Sequence, residues 1–148
     1  MSTRSIYDRQ KALEALLYVV KRVGDRYHAL KMLYFADKKH LQRYGRQISG
    51  HTYAAMEVGP VPVARETMNL IAPFSRGSNL DFLSESDKEC LDSAIATYGG
   101  LSPTCMWQLG QAESAYQETG RGDVIELEAI VRSLPEGQAL LDYWAEEE

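Results

Sequence analysis

Three histidines, two cysteines and one aspartate set among apolar residues are the positions of this 148-residue chain whose types and spacing could do chemistry. Asp37 and His40 lie three apart, so a helix would place them on one face, with His51 beyond the following turn. Such a set could share a divalent metal. The stronger reading makes Asp37 a structural acceptor. Leu33, Tyr34 and Leu41 stand four before, three before and four after it, which puts its carboxylate in the middle of an apolar stripe. A carboxylate there is costly unless hydrogen-bond donors reach it. Asp37 is therefore expected to anchor a segment that folds back on the helix, and the hairpin that follows is the nearest one. A cysteine–histidine nucleophile would need Cys90 or Cys105 beside a histidine. Both fall on helical faces that read as core, and two cysteines make neither a disulfide framework nor a four-ligand metal site. No nucleophile elbow, phosphate-binding glycine loop or HExxH pair occurs. The expectation is a protein that is not an enzyme, with no catalytic residue, no metal and no cofactor.

What remains distinctive is a basic, aromatic surface. Lys38, Lys39, Arg43 and Arg46 follow the apolar first half of the same helix, with Tyr53 and Glu57 on the hairpin beyond. These six are expected to form a contact surface for a partner protein, since a hairpin edge beside a basic helix end suits an extended peptide. Tyr34, Asp37, Gly59 and Pro60 are expected to be scaffold. Gly59-Pro60-Val61-Pro62 either fixes the hairpin edge or is a stiff connection and no more.

Charge is unevenly distributed. Residues 1–79 carry thirteen Lys/Arg against six Asp/Glu, a net of +7, while residues 80–148 carry three against fifteen, a net of −12, which together give the chain's −5. Either the halves pack and neutralise each other, or one of the surfaces steers a charged partner. Nucleic acid is disfavoured, because an acidic chain is repelled by phosphate at long range. No run of about 18 apolar residues offers a membrane span. The opening MSTRSIYDRQ has no hydrophobic signal region, so the expected location is the cytoplasm.

The elements that must position these residues are mostly helical. Residues 8–24 make an amphipathic helix with Leu13, Leu16, Leu17 and Val20 inward, Lys11, Glu14, Lys21 and Arg22 largely outside the stripe, and Gly24 as its stop. The central helix carries Leu30, Leu33, Tyr34, Leu41 and Tyr44 on one stripe and Met32, Phe35 and Ala36 opposite, so it belongs in the middle of the domain, and Gly45 ends it. Residues 48–53 read as a tight turn between short strands. Gly59-Pro60-Val61-Pro62 then ends the second strand, because each proline removes a ladder donor, and Pro62 sits in the first turn of a helix over Val63–Phe74 with Met68, Ile71 and Phe74 inward. Leu80–Leu83 reads as an extended piece that could join the hairpin. Ser84 with Asp87, and Ser102 with Pro103, announce two further helices. Residues 110–122 show no pattern, Asp123 is expected to cap a short acidic helix that includes Val124 and Ile125, and Pro135 to start a last helix with a fraying acidic end. The fold class is mainly α (α+β): a single helical domain over 1–148 with a small antiparallel hairpin or three-stranded sheet after the second helix.

The string Leu30-Lys31-Met32-Leu33-Tyr34-Phe35-Ala36-Asp37, then His40-Leu41, Tyr44-Gly45, Ile48-Ser49-Gly50, Tyr53, Ala55 and Gly59-Pro60-Val61, resembles the Panacea antitoxin-domain family of SocA-like, prophage-associated proteins. Weaker similarity continues through Leu83-Ser84-Glu85 and Tyr98-Gly99-Gly100-Leu101-Ser102, so the shared core covers about residues 8–116. The chain departs from the family where many members have Thr-His followed by a tryptophan: here Gly110-Gln111 and Tyr116 stand instead. The resemblance implies an antitoxin that neutralises a cognate toxin protein by direct binding, without catalysis or cofactor, and makes the acidic segment of about 123–148 an extension appended to the shared core. Two alternatives stay open: a proteolytic adaptor or chaperone-like module delivering a bound protein to a protease, and a phage-encoded protein aimed at a host factor.

Overall fold

A computed structural model of the chain describes residues 6–64 and 78–147. Among them are seven α-helices, α1 (Arg9–Val23), α2 (Arg26–Tyr44), α3 (Glu85–Tyr98), α4 (Pro103–Ala112), α5 (Ser114–Gln117), α6 (Leu127–Arg132) and α7 (Gly137–Glu147). Strands β1 (Tyr53–Met56), β2 (Gly59–Pro62) and β3 (Val124–Ile125) form one antiparallel sheet in the order β2-β1-β3. The expected mainly α fold with a small sheet after the second helix is what the chain adopts.

The punctuation of the sequence accounts for most boundaries. Asp8 accepts the Lys11 N–H at the start of α1, and Asp25 accepts the Tyr27 and His28 N–H groups at the start of α2. Ser84 and Asp87 make a reciprocal capping box on α3, and Ser102 caps α4 with Pro103 at its first position. Gly24 and Gly45 close their helices at φ +86° and +75°, a region other residues enter only with strain.

α2 lies between two apolar clusters. Ala29, Leu30, Met32, Leu33 and Ala36 pack with Leu16, Leu17 and Val19 of α1 and Cys90, Leu91 and Ala94 of α3. Tyr34 and Leu41 pack on the other side with Tyr53 and Ala55 of β1, Ile125 of β3, Ile130 and Val131 of α6 and Trp144 of α7. This is why apolar residues wrap nearly all round that helix. Tyr44 is the exception to its expected stripe: the last turn has left the core, so the ring is about half exposed and its hydroxyl donates to Glu89 at 2.6 Å.

Several expectations are corrected. Gly59–Pro62 is a strand and not a terminator, and Pro62 belongs to it and not to a following helix. The two-residue turn is Glu57-Val58, and residues 48–52 are an irregular lead-in to β1. Met56 pairs with Gly59 and Ala54 with Val61, while the Val63 N–H donates to the Thr52 carbonyl at 2.8 Å. The alternation leaves Pro60 and Pro62 where the missing N–H would point away from β1, on the free edge of the sheet, so no ladder bond is lost. The helix expected over Val63–Phe74 falls largely on 65–77, outside the described residues, and Val63 and Ala64 are not helical. Leu80–Phe82 is a 3-10 turn, held by the Asn79 side chain accepting the Asp81 N–H, and not an extended piece. The third strand comes instead from Val124–Ile125, which were expected in a helix that in fact starts at Leu127. Residues 103–117 are helical further than their pattern shows, the last helix begins at Gly137, two residues after Pro135, and it stays helical through Glu147. Glu14, expected outside, is fully buried and accepts the Asn79 N–H at 2.7 Å. Cys105, expected in the core, is exposed.

Candidate partner-binding site

Two buried carboxylates fix the frame on which the accessible residues stand. Asp37, 3 % exposed, accepts the Ile48 N–H at 2.9 Å and the Tyr53 hydroxyl at 2.5 Å. The chain returning from α2 and the first strand are thus both tied to one side chain on the helix, as the sequence predicts. Burial outweighs these bonds and pushes the Asp37 carboxyl up to about 6; the Tyr53 hydroxyl is raised by its own burial and then by the Asp37 charge.

Asp87 was legible only as a capping residue. It is buried, and besides accepting the Ser84 N–H it takes the Lys11 ammonium of α1 at 2.8 Å, with His40 Nε2 of α2 at 3.3 Å and the Arg46 guanidinium at 3.6 Å. His40 is itself fully buried. Its Nδ1 donates to the Arg46 carbonyl at 2.7 Å, and Nε2 lies 2.9 Å from Ser86 Oγ. His51 is buried between the Tyr7 and Tyr53 rings. No metal-binding group of three or more His, Cys, Asp or Glu occurs among the described residues. Cys90 is buried, and that burial, followed by the Glu89 charge, pushes its thiol up to about 11, so it stays protonated at neutral pH.

One flank of α2 carries the stripe Phe35, Lys38, Lys39 and Gln42, spaced at i, i+3, i+4 and i+7. It forms one wall of a cleft of about 280 Å³. α3 supplies Ser93, Ala94, Thr97 and Tyr98 opposite, and Glu113 and the turn at Ser133–Pro135 close the third side. Tyr98 stacks on Phe35, ring centroids 4.6 Å apart. The cleft runs on past Gln42 into a second hollow of about 190 Å³ lined by Leu41, Gly45, Leu134 and Leu140. From Phe35 to Gly45 it follows roughly 15 Å of helix. The Lys38 ammonium donates to Glu113 at 2.5 Å within it. The buried Tyr34 hydroxyl lies behind that pair, raised by burial and by the Glu113 carboxylate.

The six residues expected at a contact surface do not share one face. Lys38 and Lys39 line the cleft. Arg43 stands on the exposed last turn, paired with Glu89 at 2.9 Å. Arg46 is partly exposed and engaged with Asp87 and the Gln47 carbonyl. Glu57 is exposed at the hairpin tip, where its carbonyl accepts from Gln111 at 2.8 Å. Tyr53 is 1 % exposed, so burial on Asp37 removes its side chain from any surface. The hairpin tip is seated by the departure noted at Gly110-Gln111. Gly110 lies against the backbone of Gly59 so closely that a Cβ on it would meet the Pro60 ring at 3.3 Å, and the Tyr116 hydroxyl donates to the Met56 carbonyl at 2.7 Å. Glu113, Thr97 and Leu134 complete the cleft from helices and turns whose local patterns carry no sign of it.

No helix among the described residues is long and apolar enough to cross a membrane. The profile of the family described as antitoxin SocA-like, Panacea domain, matches residues 30–115, more than half of the chain. No curated protein and no solved structure matches significantly.

Proposed function

The chain belongs to the antitoxin SocA-like, Panacea-domain family, and from that premise we propose that it is the antitoxin of a toxin–antitoxin pair, neutralising a cognate toxin protein by direct binding. The observation that carries this reading is the family match over residues 30–115, which takes in most of α2, the hairpin and α3. Of the residues expected at the contact surface, Lys38 and Lys39 line the cleft and are assigned to it, while Arg43, Arg46 and Glu57 stand outside it as further contact points. Tyr34, Asp37, Gly59 and Pro60 are assigned to the scaffold. The chemistry supports a binding role: the buried histidines are occupied by structural neighbours and the buried thiol is protonated at neutral pH.

Co-expression tests the proposal. The product of the neighbouring gene is expected to arrest growth when expressed alone, and this chain to restore growth and co-purify with it. A neighbour without toxicity, or rescue without a complex, contradicts the reading.

A further inference from the structure

The tip of the β1–β2 hairpin is held from outside by α4 and α5. The Gln111 side chain donates to the Glu57 carbonyl at 2.8 Å, and the Tyr116 hydroxyl donates to the Met56 carbonyl at 2.7 Å. Gly110 packs on Gly59, so the two backbones meet with no side chain between them. The turn braced in this way is one that its own residues favour poorly. Tight turns draw mainly on Gly, Pro, Asn, Asp and Ser, whereas this one is Glu57-Val58, with a stiff β-branched residue at its second position. Val58 does not compensate by packing, being 45 % exposed. Neither turn chemistry nor the core explains a valine there, and a local rule broken without structural gain marks a position in use for function.

Trp107 stands one turn before Gly110 on α4, at the i, i+3 spacing of helix-surface neighbours, and is 47 % exposed. Residues 53–62 and the helix Pro103–Ala112 carry one charged residue between them, Glu57. Two half-exposed apolar side chains on a surface with almost no charge have the composition of an interface core, with an acid at its rim. Its complement is a protein surface that is apolar at the centre and basic beside it. Nucleic acid or an anionic membrane would set phosphate against Glu57.

Resting on the antitoxin reading, we propose that the hairpin tip and the adjoining face of α4 dock on the toxin protein, with Val58 and Trp107 as apolar anchors. Glu57 meets a basic side chain of the toxin at the rim. Gln111 and Tyr116 are positioning residues that hold the tip in its bound shape before the toxin arrives, which removes the cost of ordering it from the binding step. This surface continues the cleft across the α4–α5 corner, where Glu113 pairs with Lys38.

The test uses the full chain and the toxic neighbouring gene product, with affinity measured by titration calorimetry and melting temperature measured for each variant. Val58→Asn supplies a better turn residue while removing an anchor, and Trp107→Gln removes the other. Glu57→Lys reverses the rim charge, and Tyr143→Gln, on the exposed side of α7, controls for general loss of apolar surface. Val58→Asn and Trp107→Gln are expected to weaken binding about 30-fold or more and Glu57→Lys about tenfold, while Tyr143→Gln stays within about threefold of the parent chain, all without loss of melting temperature. Gln111→Ala is expected to cost about tenfold alone and nothing further when added to Val58→Asn, because it acts through the tip. Parent-like affinity in Val58→Asn or in Trp107→Gln overturns the surface while leaving direct neutralisation standing, and fully additive losses overturn the positioning role of Gln111. A parent chain that is a dimer, dissociated by Trp107→Gln, would give this face to a second copy and also overturn the proposal. If the parent chain forms no complex with the toxin at all, the antitoxin reading itself falls and this inference with it.

Discussion

Asp37 shows how one side chain sets both the shape of the frame and its response to pH. Its carboxylate holds Ile48 and Tyr53, so Asp37→Ala leaves a buried N–H and a buried hydroxyl without their acceptor; the expected loss is about 2–4 kcal/mol, read from denaturant unfolding. An unchanged unfolding midpoint would refute that role. The raised carboxyl adds a signed prediction. With a folded value of about 6 against an ordinary 3.8, the native state holds the proton more tightly than the unfolded chain. The stability from that proton is fully present below about pH 4 and is lost as pH rises through 6, an effect on the order of 3 kcal/mol. Asp37→Asn keeps the shape and cannot ionise. The stability of the parent chain relative to Asp37→Asn should therefore fall between pH 4 and 6 and level off above. A difference that is flat with pH would contradict the assignment. Asp87 contributes with the opposite sign and in a lower window: held below the ordinary carboxylate range by His40 and Lys11, it loses its contribution only as pH falls below about 4.

At the scale of elements, the buried carboxylates differ in how far they could be read from the sequence. Asp37 was visible because a charge at the centre of a helical apolar stripe demands a partner, and the nearest segment in sequence supplies it. Asp87 was visible only as a cap, because Lys11 and His40 approach from helices distant in sequence. It is the tie between α1, α2 and α3. Asp87→Ala should cost about 3 kcal/mol or more, whereas Lys11→Met, which leaves Asp87 its remaining donors, should cost clearly less; equal losses by denaturant unfolding would mean the carboxylate is not shared. The misread strands have the same origin. Prolines in Gly59–Pro62 argue against a strand only if their nitrogens face a neighbour, and β3, two residues long, is too short to display alternation. Of the cleft, only Lys38 and Lys39 were singled out from the sequence; Gln42 was not, and Thr97, Glu113 and Leu134 come from elements whose packing no local pattern reveals.

Across the whole molecule, part of the charge asymmetry is met by pairing between the two halves. Lys11, Lys38, Arg43 and Arg46 from the basic half meet Asp87, Glu113 and Glu89 from the acidic half. The acidic C-terminal segment lies beyond the family match and packs into the same fold. It supplies β3 to the sheet, Ile130 and Val131 to the second apolar cluster, and Trp144, 1 % exposed. Trp144→Ala should therefore cost about 3–5 kcal/mol; a melting temperature within a degree of the parent would show that α7 is peripheral. A toxin seated on α2 would then bind a surface whose back is braced by this segment.

The central claim is that the toxin is masked and not removed, and the level of toxin in rescued cells tests it most directly. Quantitative blotting of the neighbouring gene product, with and without this chain, is expected to show an undiminished amount that co-elutes with the chain on size exclusion while growth is restored. Restored growth with the toxin lost from the cells would contradict neutralisation by binding.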